Sequence, residues 1–86
     1  MQIYFTRHAR QRLKLYRIER KEVENILVER AADREPEGES RELVSDAFVG
    51  TIGFPLKIAF VREGNRVVVK TVYPLDRHTK YEGIVR

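Results

Sequence analysis

The chain has no cysteine and no tryptophan, and it holds only one methionine and two histidines. Without cysteine there is neither a disulfide framework nor a thiolate metal site. His8 and His78 lie far apart in the chain, with no carboxylate pair at ligand spacing beside either. A metal centre is therefore not expected, and no cofactor is implied. No apolar run approaches the roughly 20 residues that cross a bilayer, and no apolar signal-type segment opens the chain. The expectation is a cytoplasmic protein without membrane attachment. Glycine and proline are also few, at five and three, so turns are confined to a handful of places. There is no internal repeat and no compositional break, which points to a single domain over residues 1–86.

What the chain does have is charge, unevenly spread. Charged residues make up 35% of the chain and the formal net charge is +4. Residues 1–21 hold seven Lys/Arg against one acid, residues 22–46 hold nine acids against three Arg, and residues 47–86 hold seven bases against three acids. Such segregation suggests a basic face for a polyanion and a separate acidic face.

The basic third is built into one amphipathic stretch, Phe5-Thr6-Arg7-His8-Ala9-Arg10-Gln11-Arg12-Leu13-Lys14-Leu15-Tyr16. Phe5, Ala9, Leu13 and Tyr16 recur at helical spacing and form an apolar stripe. Arg7, Arg10, Lys14 and Arg17 form a second stripe that is wholly basic, and His8 and Arg12 border the apolar one. Thr6 is a good N-cap. Behind it, however, come Arg7 and His8, cations placed where the helix dipole is already positive. That arrangement is unfavourable unless an anion docks there, and exposed amides with guanidinium groups make a phosphate site.

The rest of the chain reads as alternating elements. Gln2–Phe5 is a short apolar lead-in, compatible with an edge strand. A second helix is expected from Arg20 to Ala31, with Val23, Ile26, Leu27 and Ala31 on one side. The two helices make a hairpin over residues 5–31. Residues 32–41 form an acidic loop containing Pro36 and Gly38. A sheet follows over residues 42–73: Leu43–Val49, then Leu56–Val61 with good alternation, then Arg66–Tyr73, joined by a turn at Glu63-Gly64-Asn65. Residues 74–86 form a polar tail that carries Arg77, His78 and Lys80 and regains an apolar pair at Ile84-Val85. The expected fold is α+β, a helical hairpin on one face of a small antiparallel meander of three to four strands, with the other face bare.

The opening motif Phe5–Leu13, then Ile18, then Glu22-Val23-Glu24-Asn25-Ile26-Leu27 and the final Val69-Lys70-Thr71-Val72-Tyr73 resemble a bacterial and archaeal family known as domain of unknown function 4258. The resemblance covers residues 2–73, and the family's His and Arg positions fall on His8 and Arg12. One departure is Arg17, where a glycine is usual before the Ile. The family is similar in layout to the RelE/ParE/BrnT toxins of toxin–antitoxin pairs. The resemblance thus implies a RelE-like fold, an RNA-directed activity without metal, and a cognate antitoxin as partner.

Two function classes follow. The first is a metal-independent endoribonuclease. Attack of a 2′-hydroxyl on its own phosphate needs a base, an acid and a cation for the developing charge. His8 can serve as base or acid, Arg12 can clasp the phosphate in a fork, and Lys70 or Tyr73 can protonate the leaving oxygen. Lys70 and Tyr73 lie three apart and so point to opposite faces of a regular strand. If Val67, Val69 and Tyr73 face the helices, Tyr73 adjoins His8 while Lys57 and Lys70 look out from the bare face. The bland alternatives are a structural His8 hydrogen-bonded at the helix–sheet seam, a core Tyr73, an Arg12 held by Asp46 or Glu42, and solvated Lys57 and Lys70. The second class is a non-catalytic module binding RNA or protein, with Arg7, Arg10, Lys14, Arg17 and Lys57 as nucleic-acid contacts, or a homodimer built on a sheet edge.

Overall fold

The computed structural model describes residues 1–75. The expected polar tail falls outside these residues apart from Pro74 and Leu75, as do Arg77, His78, Lys80 and the pair Ile84-Val85. The elements are β1 (Gln2–Phe5), α1 (Arg7–Tyr16), α2 (Arg20–Glu29), β2 (Ser40–Ser45), α3 (Val49–Ile52), β3 (Leu56–Glu63) and β4 (Arg66–Pro74), with a short 3₁₀ turn at Ala32–Arg34. The strands form one sheet in the order β1-β4-β3-β2. The α+β layout is as expected, but the sheet is mixed. β2, β3 and β4 are the antiparallel meander, whereas β1 runs parallel to β4 with Phe5 opposite Val69. The helical hairpin and acidic loop carry the chain from β1 across to β2 at the opposite edge, and the meander then brings β4 back beside β1.

Both helices lie on one face. Ala9 and Leu13 of α1 and Val23, Ile26 and Leu27 of α2 join Phe5, Leu56, Ile58, Phe60, Val67, Val69 and Val72 in a single core. Tyr16 packs half-buried against its edge.

The turn between α1 and α2 ends in a left-handed residue, Arg17, at φ 58° and ψ 43°. The Ile18 amide donates to the Leu13 carbonyl at 2.9 Å and the Arg17 amide to that of Lys14 at 3.2 Å. This is the Schellman pattern, closed by apolar contact between its ends; here Leu13 and Ile18 are both buried. Arginine therefore holds a position that favours glycine.

Three expected boundaries shift. α2 stops at Glu29, and Ala31 is left-handed at φ 54°, which turns the chain before the helix can reach it. The acidic loop gives up Ser40 and Arg41 to β2. The strand expected over Leu43–Val49 ends at Ser45, because the Ser45 hydroxyl accepts from the Ala47 amide at 3.1 Å. Such local bonds compete with a strand ladder, and the chain drops into α3 with Phe48 buried. The β3–β4 hairpin turns on Gly64-Asn65 between the paired Glu63 and Arg66. Only its first central residue, Gly64, has positive φ, at 64°, as a type II′ turn requires.

The main surprise is a β-bulge. Ala59 pairs with Thr71 and Phe60 with Val69, so Lys70 is the extra residue of β4. A bulge of this kind resets side-chain alternation. Val67 and Val69 face the helices before it, and Val72 does so after it. Tyr73 is thus not under the helices: it pairs with Lys57 on the opposite, bare face.

Arg17→Gly should stabilise the domain by about 0.5–1 kcal/mol, since relief of left-handed strain exceeds the unfolded-state entropy that glycine adds. The urea midpoint of the variant measures this. Leu27→Ala, at a fully buried position, should cost about 2–5 kcal/mol in the same measurement.

Candidate nucleic-acid interface

α1 starts at Thr6, where one side chain serves two elements. Its Oγ1 accepts from the Ala9 amide at 3.1 Å and donates to the Lys70 carbonyl at 2.9 Å. Its backbone amide donates to the Val69 carbonyl at 3.1 Å. The start of the basic helix is therefore tied to the bulge in β4. No acid occupies the first turn of α1.

Beyond this cap the helix presents cations to solvent. Arg7, Arg10, Lys14 and Arg17 are all exposed, as is His8. Arg10 Nη1 donates to the Phe5 carbonyl at 3.1 Å, which folds that side chain from α1 back onto β1. Arg12 is half-buried. Its Nη1 donates to the Tyr16 hydroxyl at 3.1 Å, with the guanidinium carbon 5.9 Å from the Tyr16 ring centre. Arg12 is therefore held by Tyr16, four residues on, and not by Asp46 or Glu42; its buried Nε has no protein partner.

Ion pairing divides the molecule. Arg41 pairs with Glu35 and Glu39, Lys57 with Glu42, Arg62 with Glu37, and Arg66 with Glu63. The acids of the 35–42 segment are thus spent largely on the sheet. Among the described residues, none of the seven cations in residues 1–21 takes part in an ion pair. The Arg62 contact is also a latch: its Nε donates to the Glu35 carbonyl at 2.7 Å, and the Glu37 carboxylate accepts from the Gly64 amide at 3.1 Å. That latch fastens the acidic loop to the β3–β4 turn.

The bare sheet face carries the other candidates. Lys57 Nζ lies 3.2 Å from Glu42 Oε1 and 5.7 Å from the Tyr73 ring centre. Burial pulls its pKa down, but Glu42 and then Tyr73 outweigh burial, and Lys57 titrates above the ordinary 10.5. It is an ammonium at neutral pH and cannot act as a general base. Lys70 is exposed, and its ammonium donates to the Ser40 hydroxyl at 2.9 Å. Lys57 and Lys70 are thus engaged, not simply solvated.

The structure keeps the four catalytic candidates apart. His8 and Arg12 ride on the helical side of the sheet, whereas Lys70 and Tyr73 belong to the bare side. Surface hollows of about 300–420 Å³ lie elsewhere, such as the one lined by Arg30, Glu35, Arg41 and Leu43. Among the described residues, no group of three His, Cys, Asp or Glu gathers in a way that would hold a metal ion, and no helix is long and apolar enough to cross a membrane. No family model matches the chain, and no curated protein or solved structure does either.

Two residues with a place in this surface were not singled out from the sequence. Arg66 stands with its guanidinium carbon 5.7 Å from the ring centre of Tyr4, and both share the bare face. The available signal was the alternation of Ile3, Tyr4 and Phe5, which sets Tyr4 against its neighbours but does not say which side is covered.

Because the pKa of Lys57 is raised on folding, its stabilising contribution is complete below pH 10.5 and is lost as pH climbs through the folded value. Glu42→Gln should flatten the alkaline fall in unfolding free energy relative to the parent chain. At neutral pH it should cost about 0.2–1 kcal/mol, the range of a solvent-screened pair. Denaturant melts from pH 8 upward compare the two.

Proposed function

We propose that this chain is an RNA-interacting domain of the toxin type, which holds RNA phosphates along the exposed basic stripe of α1. The observation that carries this reading is the ion-pair division. The sheet cations Arg41, Lys57, Arg62 and Arg66 have acidic partners, while Arg7, Arg10, Lys14 and Arg17 have none among the described residues. Like charges at three- and four-residue spacing repel one another along a helix, and a phosphate backbone relieves that repulsion. The resemblance to the domain of unknown function 4258 family supports the toxin setting, as does the placement of a helical hairpin on a small sheet. In that setting the protein works in the cytoplasm. An acidic segment of a cognate antitoxin would compete with RNA for the same stripe.

Metal-independent RNA cleavage is the second reading. One observation favours it: His8 is exposed beside Arg7 at the start of α1, where a docked phosphate would meet both. Cleavage by His8, Arg12, Lys70 and Tyr73 acting as a single group is not favoured, since the sheet lies between the two pairs.

Retention of a labelled single-stranded RNA, in EDTA and across 50–200 mM salt, tests both readings. Binding should weaken steeply with salt. Arg7→Gln with Lys14→Gln should reduce the salt slope by about 1.4, at about 0.7 per lost phosphate contact, with the circular dichroism spectrum unchanged. Salt-independent retention, or none, overturns the proposal. Shortened RNA that His8→Ala leaves intact establishes the second reading, and RNA recovered at full length with the parent chain removes it.

A further inference from the structure

The bare face of the sheet is more than a wall behind the helices. Residues directly opposite one another in paired strands share a face. Gln2 pairs with Arg66, Tyr4 with Val68, Val61 with Val68, and Lys57 with Tyr73. Since Phe5, Val67 and Val69 face the core, Tyr4, Arg66, Val68, Val61, Lys57 and Tyr73 all look the other way. The floor between the two tyrosines is low and mostly apolar, made of Ala59, Val61 and Thr71, all half-buried, and Val68, which is buried. Tyr4 is 49% exposed.

Each tyrosine has a cation over one face of its ring, at the same distance. The Arg66 guanidinium carbon is 5.7 Å from the Tyr4 ring centre, and the Lys57 ammonium is 5.7 Å from that of Tyr73. Lys70 stands between them on β4. Its position in the bulge is what returns Tyr73 to this face. The register partners of Val68 and Tyr73 on β3, Val61 and Lys57, are four residues apart, about 13 Å at about 3.3 Å per residue, room for about two unstacked bases. Acids are present too, but they sit on the margins: Glu42 on the edge strand β2 and Glu63 at the hairpin end, each bound to a cation.

We propose that this face is a stacking platform for single-stranded RNA, in which Tyr4 and Tyr73 each take a base on the ring face that its cation does not cover, while Lys70, which has no acidic partner among the described residues, meets the backbone. Aromatic rings beside cations on an open sheet are what unpaired bases and their phosphates require. A duplex hides the faces of its bases and gains nothing from the tyrosines. The platform is joined to the basic helix at the β1 edge. There Arg10 of α1 donates to the carbonyl of Phe5, the residue next to Tyr4. A strand held by α1 can therefore pass round β1 onto the sheet. The inference rests on the RNA-binding reading and assigns it a substrate class, single-stranded over duplex.

Fluorescence polarisation with the full chain, using a labelled single-stranded oligoribonucleotide and a duplex of the same length, tests it. The single strand should bind more tightly. Tyr4→Ala and Tyr73→Ala should each weaken single-strand binding by roughly 5- to 150-fold and leave duplex binding and the salt slope unchanged. Tyr4→Phe and Tyr73→Phe keep the ring and should restore most of the loss, which a merely structural role for the hydroxyls would not allow. Equal or tighter duplex binding overturns the platform, as do alanine variants that bind the single strand like the parent. In both cases the basic-helix reading survives. Failure of the parent chain to bind either probe overturns both.

Discussion

Thr6 joins three parts of the fold through a few bonds. Its amide closes β1 onto the Val69 carbonyl, its hydroxyl oxygen caps α1 through the Ala9 amide, and its hydroxyl proton goes to the Lys70 carbonyl. The carbonyl it satisfies belongs to the one residue of β4 that has no partner in the β3–β4 register. The bond to the Lys70 carbonyl is open to solvent, so it orients the cap against the bulge without rescuing a buried acceptor. The helix begins where the bulge leaves an acceptor.

The consequence reaches both surfaces. On the helical side the cap fixes the rotation of α1, which sets Ala9 and Leu13 against the sheet and turns Arg7, Arg10, Lys14 and Arg17 outward. On the other side the bulge moves β4 out of strict alternation, so that Val72 enters the core and Tyr73 leaves it. The same joint therefore positions the exposed cations on one side and the half-buried Tyr73 ring on the other. The acidic segment contributes by being occupied elsewhere: Glu35, Glu37, Glu39 and Glu42 hold Arg41, Arg62 and Lys57, which leaves the charge of α1 unanswered by them. One carbonyl of each edge strand, Phe5 in β1 and Val44 in β2, also lies at an arginine from a helix or its end, and charged side chains on an edge blunt pairing with other chains.

Much of this was legible in the residues themselves. Helical spacing of Ala9 and Leu13, and of Val23, Ile26 and Leu27, identified the buried faces, because a helix repeats every 3.6 residues and only one side can be covered; Phe5, read on the same stripe, is buried from strand β1 instead. The alternation of Leu56, Ile58 and Phe60 did the same for β3. The excess of cations in residues 1–21 and their arrangement on one stripe followed from spacing alone. The turn at Arg17 was harder to read: nothing about arginine announces a left-handed residue, and the Leu13–Ile18 closure that enforces it is visible only once both side chains share a core.

The sequence by itself determined the interiors of α1, α2, β3 and β4, though not α3, along with where the cations gather and that disulfides and thiolate metal sites are ruled out. These are local properties, set by periodicity and side-chain chemistry. Tertiary structure alone decided that β1 runs parallel beside β4, that Arg12 turns to Tyr16, that Lys70 bulges, and that Tyr4 and Tyr73 emerge together on the uncovered face. All but the Arg12–Tyr16 contact, which lies within α1, depend on pairing between segments distant in the chain. A single extra residue in one strand exchanges inside for outside, and no local pattern records where a neighbouring strand will skip.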